Sequence, residues 1–379
     1  MLGNKIVSYP SPKLAHIGEV MRDVVVFGAG KIGVMIADFL RSTSDYELTV
    51  VDSNPAAIER LAAKGIDGVV ANVEDEAARQ KILDGKDIAI SALPYFVNTG
   101  IGETARDCGI HYFDLTEDVA TTRALRTLAE GADSAFVPQC GLAPGFISIV
   151  AHDLAQKFET LDTVKMRVGA LPKFPSNELK YNLTRSTDGL INEYCNECEA
   201  IHEGERVEAR ALDGYEHFSL DGIAYEAFNT SGGLGTLCET LDGKVRNLDY
   251  KTVRYPGDRD LIRMRARDLR LCERRELFLE VLENAVPATT QDVVLVFVTV
   301  TGEREGALTQ ESFARKIYSD EIDGITRSAI QITTAAGVCA MVDLLREGKL
   351  PQKGFVTQES ARLDDFIANR FGRYYDGED

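Results

Sequence analysis

The feature that most constrains the fold is a glycine-rich turn between an apolar strand and a helix. Residues 24–27 form a short, continuous apolar run, which is typical of a strand buried on both faces of a parallel sheet. The turn after it holds Gly28, Gly30 and Gly33, and apolar residues then recur at helical spacing. Asp52 ends the next apolar run, 22 residues after Gly30. This order of elements predicts the βαβ unit of a dinucleotide-binding fold.

The three glycines and Asp52 have separate predicted roles at the cofactor. Gly28 permits the tight turn, Gly30 leaves bare backbone for the pyrophosphate, and Gly33 lets the helix approach the sheet. Asp52 would bind the ribose 2′-hydroxyl and repel the 2′-phosphate of NADP, so NAD is the predicted cofactor. The predicted cofactor-binding residues are Gly28, Ala29, Gly30, Lys31, Ile32, Gly33, Asp52, Ser53, Ala92, Leu93 and Pro94.

The predicted fold class is α/β, a Rossmann-type doubly wound parallel sheet with an inserted α+β second domain. Up to residue 139, short apolar runs alternate with helical segments. From about Val164, apolar residues recur at every second position, which predicts strands with one face in solvent. We predict a dinucleotide-binding domain over residues 21–150, completed by a C-terminal helix over 325–375, and a substrate-binding and oligomerisation domain over 151–324.

Composition narrows the partners and the compartment. The net charge of −18 disfavours binding to nucleic acid or to anionic membranes, and no run of about 18 uncharged apolar residues predicts a membrane span. The first twenty residues lack the pattern of a secretory signal, and Met21 is an alternative start, so a cytoplasmic location is expected. There the seven cysteines should stay reduced. Cys195 and Cys198 form a lone C-x-x-C in a predicted helix over 189–201, and we interpret them as structural rather than metal-binding.

Three further segments are predicted to reach the carboxyl edge of the first sheet, where doubly wound folds bind ligands. They are residues 91–95, 112–118 and 138–145. With these in place the sequence resembles the saccharopine dehydrogenase-like family, and within it is most similar to the lysine 6-dehydrogenases. The resemblance rests on the order and spacing of Gly28–Gly33, Ala92–Pro94, Cys140–Gly145, Gly169–Pro172, Tyr181–Tyr194, Asn229–Leu241 and Arg254–Gly257.

The resemblance implies NAD-dependent oxidative deamination of the ε-amine of L-lysine, or of a related amino acid, to 2-aminoadipate 6-semialdehyde, which cyclises. This chemistry needs a base for the amine and an activated water beside the nicotinamide. The candidate catalytic residues are Asp114, Glu117 and Cys140, with the two acids as base and water activator. Each has a structural alternative: Asp114 as a helix cap, Glu117 as a solvated first-turn acid, and Cys140 as a core residue.

An amino-acid substrate also needs charged partners for its carboxylate and ammonium groups, and arginine suits the carboxylate best. The predicted substrate-binding residues are Tyr95, Thr184, Arg185, Asp188, Ser231 and Arg254. Surface ion pairing is the alternative for the charged ones. The pair Gly232 and Gly233 could let backbone approach a ligand, or could form a simple turn.

Two positions depart from the lysine 6-dehydrogenase pattern and keep other functions open. Arg185 stands where those relatives usually carry Trp, and Asp258 stands where they carry His. The preferred amino acid could therefore differ from lysine. One alternative is a saccharopine-type dehydrogenase or reductase of a C–N bond, and another is a non-catalytic NAD-binding regulator. A homodimer or homotetramer is expected in either enzymatic case.

Overall fold

The computed structural model describes residues 22–184 and 186–377, and its first part alternates strands with helices. Our predictions for the first twenty residues, for Met21 and for Arg185 lie outside the described residues. The strands of this part are β1 (Arg22–Phe27), β2 (Tyr46–Asp52), β3 (Asp67–Val70), β4 (Ile88–Ser91), β5 (His111–Asp114) and β6 (Ala135–Val137). The helices are α1 (Lys31–Arg41), α2 (Pro55–Ala62), α3 (Glu76–Leu83), α4 (Asn98–Cys108), α5 (Val119–Ala129) and α6 (Phe146–Ala155).

These six strands form one parallel sheet in the order β3-β2-β1-β4-β5-β6. Strand β1 lies inside the sheet and its residues 24–27 are fully buried, which explains the continuous apolar run. The strand order reverses between β1 and β4, and ligands bind beside such a switch point. The predicted doubly wound parallel sheet is confirmed.

A mixed sheet forms the second domain and confirms the predicted α+β part of the fold. Its central strands follow the order β10-β11-β12-β7-β13-β14, with β7 and β12 parallel and the other neighbours antiparallel. The elements are β7 (Thr160–Pro172), α7 (Thr187–Cys195), β8 (Cys198–His202), β9 (Glu205–Ala209), β10 (Glu216–Leu220), β11 (Ile223–Asn229), α8 (Leu237–Thr240), β12 (Val245–Arg254), α9 (Asp258–Arg263), α10 (Arg275–Ala285), β13 (Asp292–Arg304), β14 (Ala307–Tyr318), β15 (Asp320–Ile322) and β16 (Ile325–Arg327).

The end of the described chain returns to the first domain through α11 (Ala329–Arg346), β17 (Gly354–Phe355) and α12 (Leu363–Ala368). We predicted one helix over residues 325–375, but α11 covers only part of that range. It ends at Arg346, and Gly348 then adopts a left-handed conformation that stops the helix. Strand β17 pairs in parallel with β6 and extends the first sheet to seven strands.

Helix α11 is long and apolar enough to cross a membrane, but 89% of it is buried inside the protein. Asp292, at the start of β13, accepts hydrogen bonds from the first backbone N–H groups of the helix, Ala329 and Ile330. The helix contributes to the largest hydrophobic core together with α1, α6 and the inner faces of β7 and β13. This core position accounts for its apolar composition.

A disulfide bond joins Cys195 to Cys272, 77 residues apart in sequence. The prediction that all cysteines are reduced is therefore wrong for this pair. The predicted helix over 189–201 is also wrong in its bounds, because α7 ends at Cys195 and β8 begins at Cys198. Cys198 is buried and carries a free thiol. The bond forms because Cys272 lies in the short turn before α10, a helix that packs on α7.

Candidate active site

The glycine turn after β1 has room for a dinucleotide at one position and close packing at the other two. A Cβ atom at Gly33 would lie 1.8 Å from the carbonyl oxygen of Gly28, so the approach of α1 to the turn requires glycine there. Gly28 has a φ of +104°. A Cβ at Gly30 would meet nothing within 4 Å, which leaves open space at the N-terminus of α1. These residues fit a bound pyrophosphate.

Asp52, at the end of β2, anchors this turn. Its Oδ2 accepts a hydrogen bond from the backbone N–H of Ala29 at 2.7 Å, and its Oδ1 accepts one from Asn54 at 2.8 Å. Each carboxylate oxygen keeps a second acceptor position, so a ribose hydroxyl could still be bound. The sequence did not predict the anchoring role. Of the other predicted cofactor-binding residues, Lys31 and Ser53 are exposed, and Ile32 is partly buried.

Two cavities lie between the domains at the carboxyl edge of the first sheet. The outer cavity, of about 500 Å³, is lined by Ala92, Leu93, Pro94 and Tyr95 after β4, and by Asp188 and Arg275 of the second domain. The inner cavity, of about 210 Å³, is lined by Ile32, Pro144, Glu193, Tyr250, Thr252 and Arg254. The backbone N–H of Ala92 donates to the carbonyl of Phe27 at 2.8 Å, which holds the outer cavity beside the glycine turn.

Glu117 lines both cavities, together with Leu115, Ser186 and Gly189. It follows β5 and is enclosed by glycines of the second domain. A Cβ at Gly189, in the first turn of α7, would lie 3.1 Å from Glu117 Oε1, and a Cβ at Gly232 would lie 2.8 Å from the Glu117 carbonyl oxygen. The structure thus places this predicted catalytic carboxylate at the junction of the cavities.

Asp114 is placed differently from the base we predicted. Its side chain is fully buried, and its Oδ2 accepts hydrogen bonds from Tyr112 Oη at 2.9 Å and Asn98 Nδ2 at 3.3 Å. Its Oδ1 accepts from the backbone N–H groups of Thr116 and Gln139, both at 3.0 Å. Burial raises the pKa of Asp114 to about 6, although these donors oppose the rise. Four donors and full burial favour a role in joining the ends of β5 and β6 over contact with substrate.

Cys140 is likewise a core residue by its surroundings. Its thiol is fully buried, donates to the carbonyl of Val137 at 2.9 Å and accepts from Gln358 Nε2 at 3.2 Å. Burial raises the pKa of this thiol well above its ordinary value, which disfavours a reactive thiolate. The structural alternative that the sequence left open for Cys140 fits these contacts better than the catalytic one.

The predicted substrate-binding residues are divided between the two cavities and the surrounding core. Tyr95 and Asp188 line the outer cavity, and Arg254 lines the inner one. Thr184 is buried and lines neither cavity, and the hydroxyl of Ser231 donates to the carbonyl of Asn192 at 2.9 Å. The structure therefore brings only part of the predicted set to a cavity wall.

Arg254 is buried, with 2% of its surface exposed. Its Nη2 donates to Tyr194 Oη at 3.2 Å, and its guanidinium carbon lies 4.6 Å from the centre of the Tyr181 ring. Asp258 Oδ2 is 3.9 Å from its Nε, too far for a hydrogen bond, and this Nε has no hydrogen-bond partner among the described residues. Burial raises the pKa of Asp258 to about 7. Arg254 thus keeps donor capacity for an anion in the inner cavity.

The sequence analysis did not predict Glu193 and Tyr250 as site residues. It also left open whether Gly232 and Gly233 let backbone approach a ligand or form a simple turn. Gly232 packs on Glu117, and a Cβ at Gly233 would lie 2.1 Å from the ring of Tyr250, so both glycines make room for site residues. The spacing of Gly189 and Glu193, four residues apart on a helix, was the available signal.

Comparison with known proteins identifies the family. The profile of the saccharopine dehydrogenase NADP-binding domain matches residues 24–137, and that of the saccharopine dehydrogenase C-terminal domain matches residues 141–372. The chain belongs to the saccharopine dehydrogenase family. A solved structure of saccharopine dehydrogenase (L-Glu forming) from Saccharomyces cerevisiae superposes with a TM-score of 0.74 at 16% identity, covering 89% of this chain and 94% of the yeast chain. That likeness shows a shared two-domain fold.

Curated relatives match a smaller part of this family member. The mitochondrial alpha-aminoadipic semialdehyde synthase of Mus musculus is 23% identical over 185 residues, covering 45% of this chain. The chain spans 19% of the length of that synthase. Myo-inositol dehydrogenase Hyg17 of Streptomyces leeuwenhoekii is 27% identical over 177 residues, covering 45% of this chain and 53% of its own length.

Proposed function

We propose that the protein is an NAD-dependent dehydrogenase that oxidises the side-chain amine of L-lysine or of a closely related amino acid. The observation that carries the proposal is the position of Glu117, between a cavity beside the cofactor turn and a cavity that holds the buried Arg254. Family membership and the name of the mouse relative, a semialdehyde synthase, support chemistry at an amino-acid side chain.

The chain's residues would divide the reaction between them. Arg254 binds the α-carboxylate through donors that remain available in its buried position. Glu117 accepts a proton from the side-chain ammonium and releases it to solvent. It later accepts a proton from the water that attacks the resulting iminium, and returns that proton to the nitrogen that leaves as ammonia. When bound, the nicotinamide supplies the hydride acceptor. The contacts of Gly189 and Gly232 hold Glu117 at the junction of the cavities. The second domain would thus keep the Glu117 carboxylate close to the reacting amine.

The preference for NAD is part of the proposal and rests on Asp52. A carboxylate at the end of β2 repels a 2′-phosphate, and neither Ser53 nor Asn54 offers a positive charge in exchange. The family profile that matches residues 24–137 is that of an NADP-binding domain. Every assay should therefore include both NAD and NADP.

The test of the proposed function is a panel of L-amino acids assayed for reduction of NAD and of NADP. We expect turnover with lysine or a close homologue, and a strong loss of turnover in Glu117→Gln. Cofactor binding without turnover on any amine would contradict the proposal and favour the regulator that the sequence also allowed.

A second candidate is a saccharopine-type dehydrogenase that joins or splits two amino-acid moieties. The outer cavity favours it, because its volume of about 500 Å³ leaves room for a second amino-acid moiety, and its lining offers Arg275 for a carboxylate and the acids Asp188 and Glu276 for an ammonium group. The reverse reaction discriminates between the candidates. With the semialdehyde and NADH, a requirement for ammonia supports the primary-amine dehydrogenase, whereas a requirement for glutamate supports the saccharopine type.

A further inference from the structure

Strand β12 forms one wall of the inner cavity and gives that cavity a direction. Tyr250, Thr252 and Arg254 all line it. They are alternate residues of one strand, so their side chains lie in a row on the same face. Four residues of a strand span about 13 Å, so Tyr250 and Arg254 lie at opposite ends of this row. A ligand with its carboxylate on Arg254 would therefore extend along β12 towards Tyr250.

The residues around Tyr250 show where the cavity ends. In the parallel pair of β7 with β12, Val168 lies opposite Thr252 and lines the cavity. Met166 lies opposite Tyr250, is fully buried and does not line it. Leu248, two positions before Tyr250 on the same face of β12, is also fully buried and does not line it. Tyr250 is therefore the last side chain of the row that reaches the cavity.

The glycine pair after β11 holds the Tyr250 ring beside the proposed base. A Cβ at Gly233 would lie 2.1 Å from this ring, so the position of the ring requires glycine there. Gly232 packs against the backbone of Glu117. The ring and the acid thus lie against neighbouring residues of one loop. The closed end of the cavity is therefore also the end nearest to the proposed chemistry.

We propose that Tyr250 is a specificity-determining residue whose ring closes the inner cavity opposite Arg254 and limits the length of the side chain that can react at Glu117. This inference rests on the proposed function. Each further methylene lengthens an extended chain by about 1.3 Å, because its bonds are about 1.5 Å long and zigzag. The ring cannot move back by that distance without repacking the core behind it. One methylene too many in such a pocket costs about 10- to 200-fold in kcat/KM.

The test compares L-ornithine, L-lysine and L-homolysine, whose side chains lengthen by one methylene each, for turnover with NAD. In wild type we expect kcat/KM to fall at least about tenfold at the first side chain that is too long, which should be that of homolysine. Tyr250→Ala removes the ring, so it should move this limit outwards by at least one methylene. Tyr250→Phe keeps the ring and is the matched control, with the limit where wild type has it.

Equilibrium binding of the same three amino acids in the presence of NADH separates this inference from the proposed function. If wild type binds them with the expected length limit and Tyr250→Ala moves it, but none is turned over, the proposed function fails while the role of Tyr250 stands. A limit that stays in place in Tyr250→Ala would overturn the inference, as would the absence of any limit or of any binding in wild type. Should Tyr250→Ala fail to fold, Tyr250→Leu shortens the side chain and keeps it apolar, and it should move the limit in the same direction.

Discussion

At the scale of single residues, Asp114 and Glu117 show how local surroundings separate two carboxylates three positions apart. Asp114 has four hydrogen-bond donors and no exposed surface, whereas Glu117 lines two cavities. The first is placed to hold strand ends together and the second to meet a ligand. Substitutions at the two positions should therefore have different consequences.

Glu117→Gln should lower kcat by about 100-fold or more, within the range typical for loss of a general base. Its thermal stability should remain close to wild type. Asp114→Asn should instead reduce the free energy of unfolding by about 1–3 kcal/mol, because an amide nitrogen would face donors that now bind a carboxylate oxygen. Steady-state kinetics and urea unfolding measure the two effects. The assignment of the base to Glu117 would be wrong if Asp114→Asn lost turnover while its free energy of unfolding stayed at the wild-type value.

Asp52→Asn should narrow the preference for NAD over NADP by several-fold, because the negative charge that repels a 2′-phosphate is removed. The amide keeps one acceptor oxygen for the glycine turn, so the fold is perturbed less than by Asp52→Ala. Titration of the protein with NADH and NADPH, followed by fluorescence, gives the two Kd values. An unchanged ratio of these values would remove Asp52 from cofactor selection.

At the scale of elements, α7 connects the stability of the second domain to the site. Its first turn touches Glu117, its last turn carries Glu193, and its last residue is bonded to Cys272. Arg275 of α10 also donates to Asn192 of α7 at 2.6 Å. A change in α7 can therefore act on catalysis without breaking the fold.

Gly189→Ala should keep or raise stability, by up to about 1 kcal/mol, because alanine favours helix more than glycine does. The new Cβ would lie 3.1 Å from Glu117 Oε1 and displace the carboxylate by a few tenths of an ångström. We expect kcat to fall several-fold with little change in the KM for NAD. Gly100→Ala in α4 is the matched control, since its nearest side-chain atom is 3.4 Å away in Arg79, and it should leave kcat unchanged.

Breaking the disulfide should destabilise the protein by about 4–5 kcal/mol, the value expected for closing a loop of this length in the unfolded chain. Cys195→Ser with Cys272→Ser should lower the melting temperature, and reductant should then have no further effect. Five thiols should react in the denatured, unreduced protein, since seven cysteines include one bonded pair. Seven reactive thiols would contradict the bond.

Local pattern was enough to predict β1, the glycine turn and the existence of a long C-terminal helix, because their signals lie in neighbouring residues. It failed where distant segments meet. Strand β17 has only two residues, too few for any periodicity. Arg167 was expected on a solvent-facing side of β7, but it is 7% exposed and donates to Glu216 at 2.9 Å, because the β10–β11 hairpin covers that face. Glu193 became a site residue only through the packing of α7 against the loop after β5.

At the scale of the whole molecule, burial of acids sets how stability depends on pH. Burial raises the pKa of Asp258 to about 7 and the pKa values of Asp114 and Asp292 to about 6, all above the ordinary value of 3.8. Glu216 is opposite: although burial raises its pKa, contacts with Lys251, Arg167 and Lys165 outweigh this effect and hold it at about 2.

The free energy of unfolding should therefore contain a term that falls as pH rises from about 4 to about 7. The unfolded chain releases these protons first, so the folded state binds more protons in that window, and each group contributes at most about 1.4 kcal/mol per pH unit. Asp258→Asn should flatten the dependence. Urea unfolding of wild type and variant from pH 4.5 to 7.5 measures the difference, and parallel curves would show that Asp258 ionises normally in the folded protein. The lowered pKa of Glu216 contributes stability that is lost only as the pH falls below about 4, which is outside this window.

Helix α11 belongs to the cores of both domains, and it is synthesised after β1–β16. As the chain leaves the ribosome, β1–β6 of the first sheet and all strands of the second sheet emerge before the helix that packs on both. Until α11 is made, the apolar faces of α1, α6, β7 and β13 remain exposed to solvent or bound by chaperones. A chain released before residue 329 would lack the segment that closes both cores, so premature termination anywhere upstream should yield aggregates rather than a folded first domain.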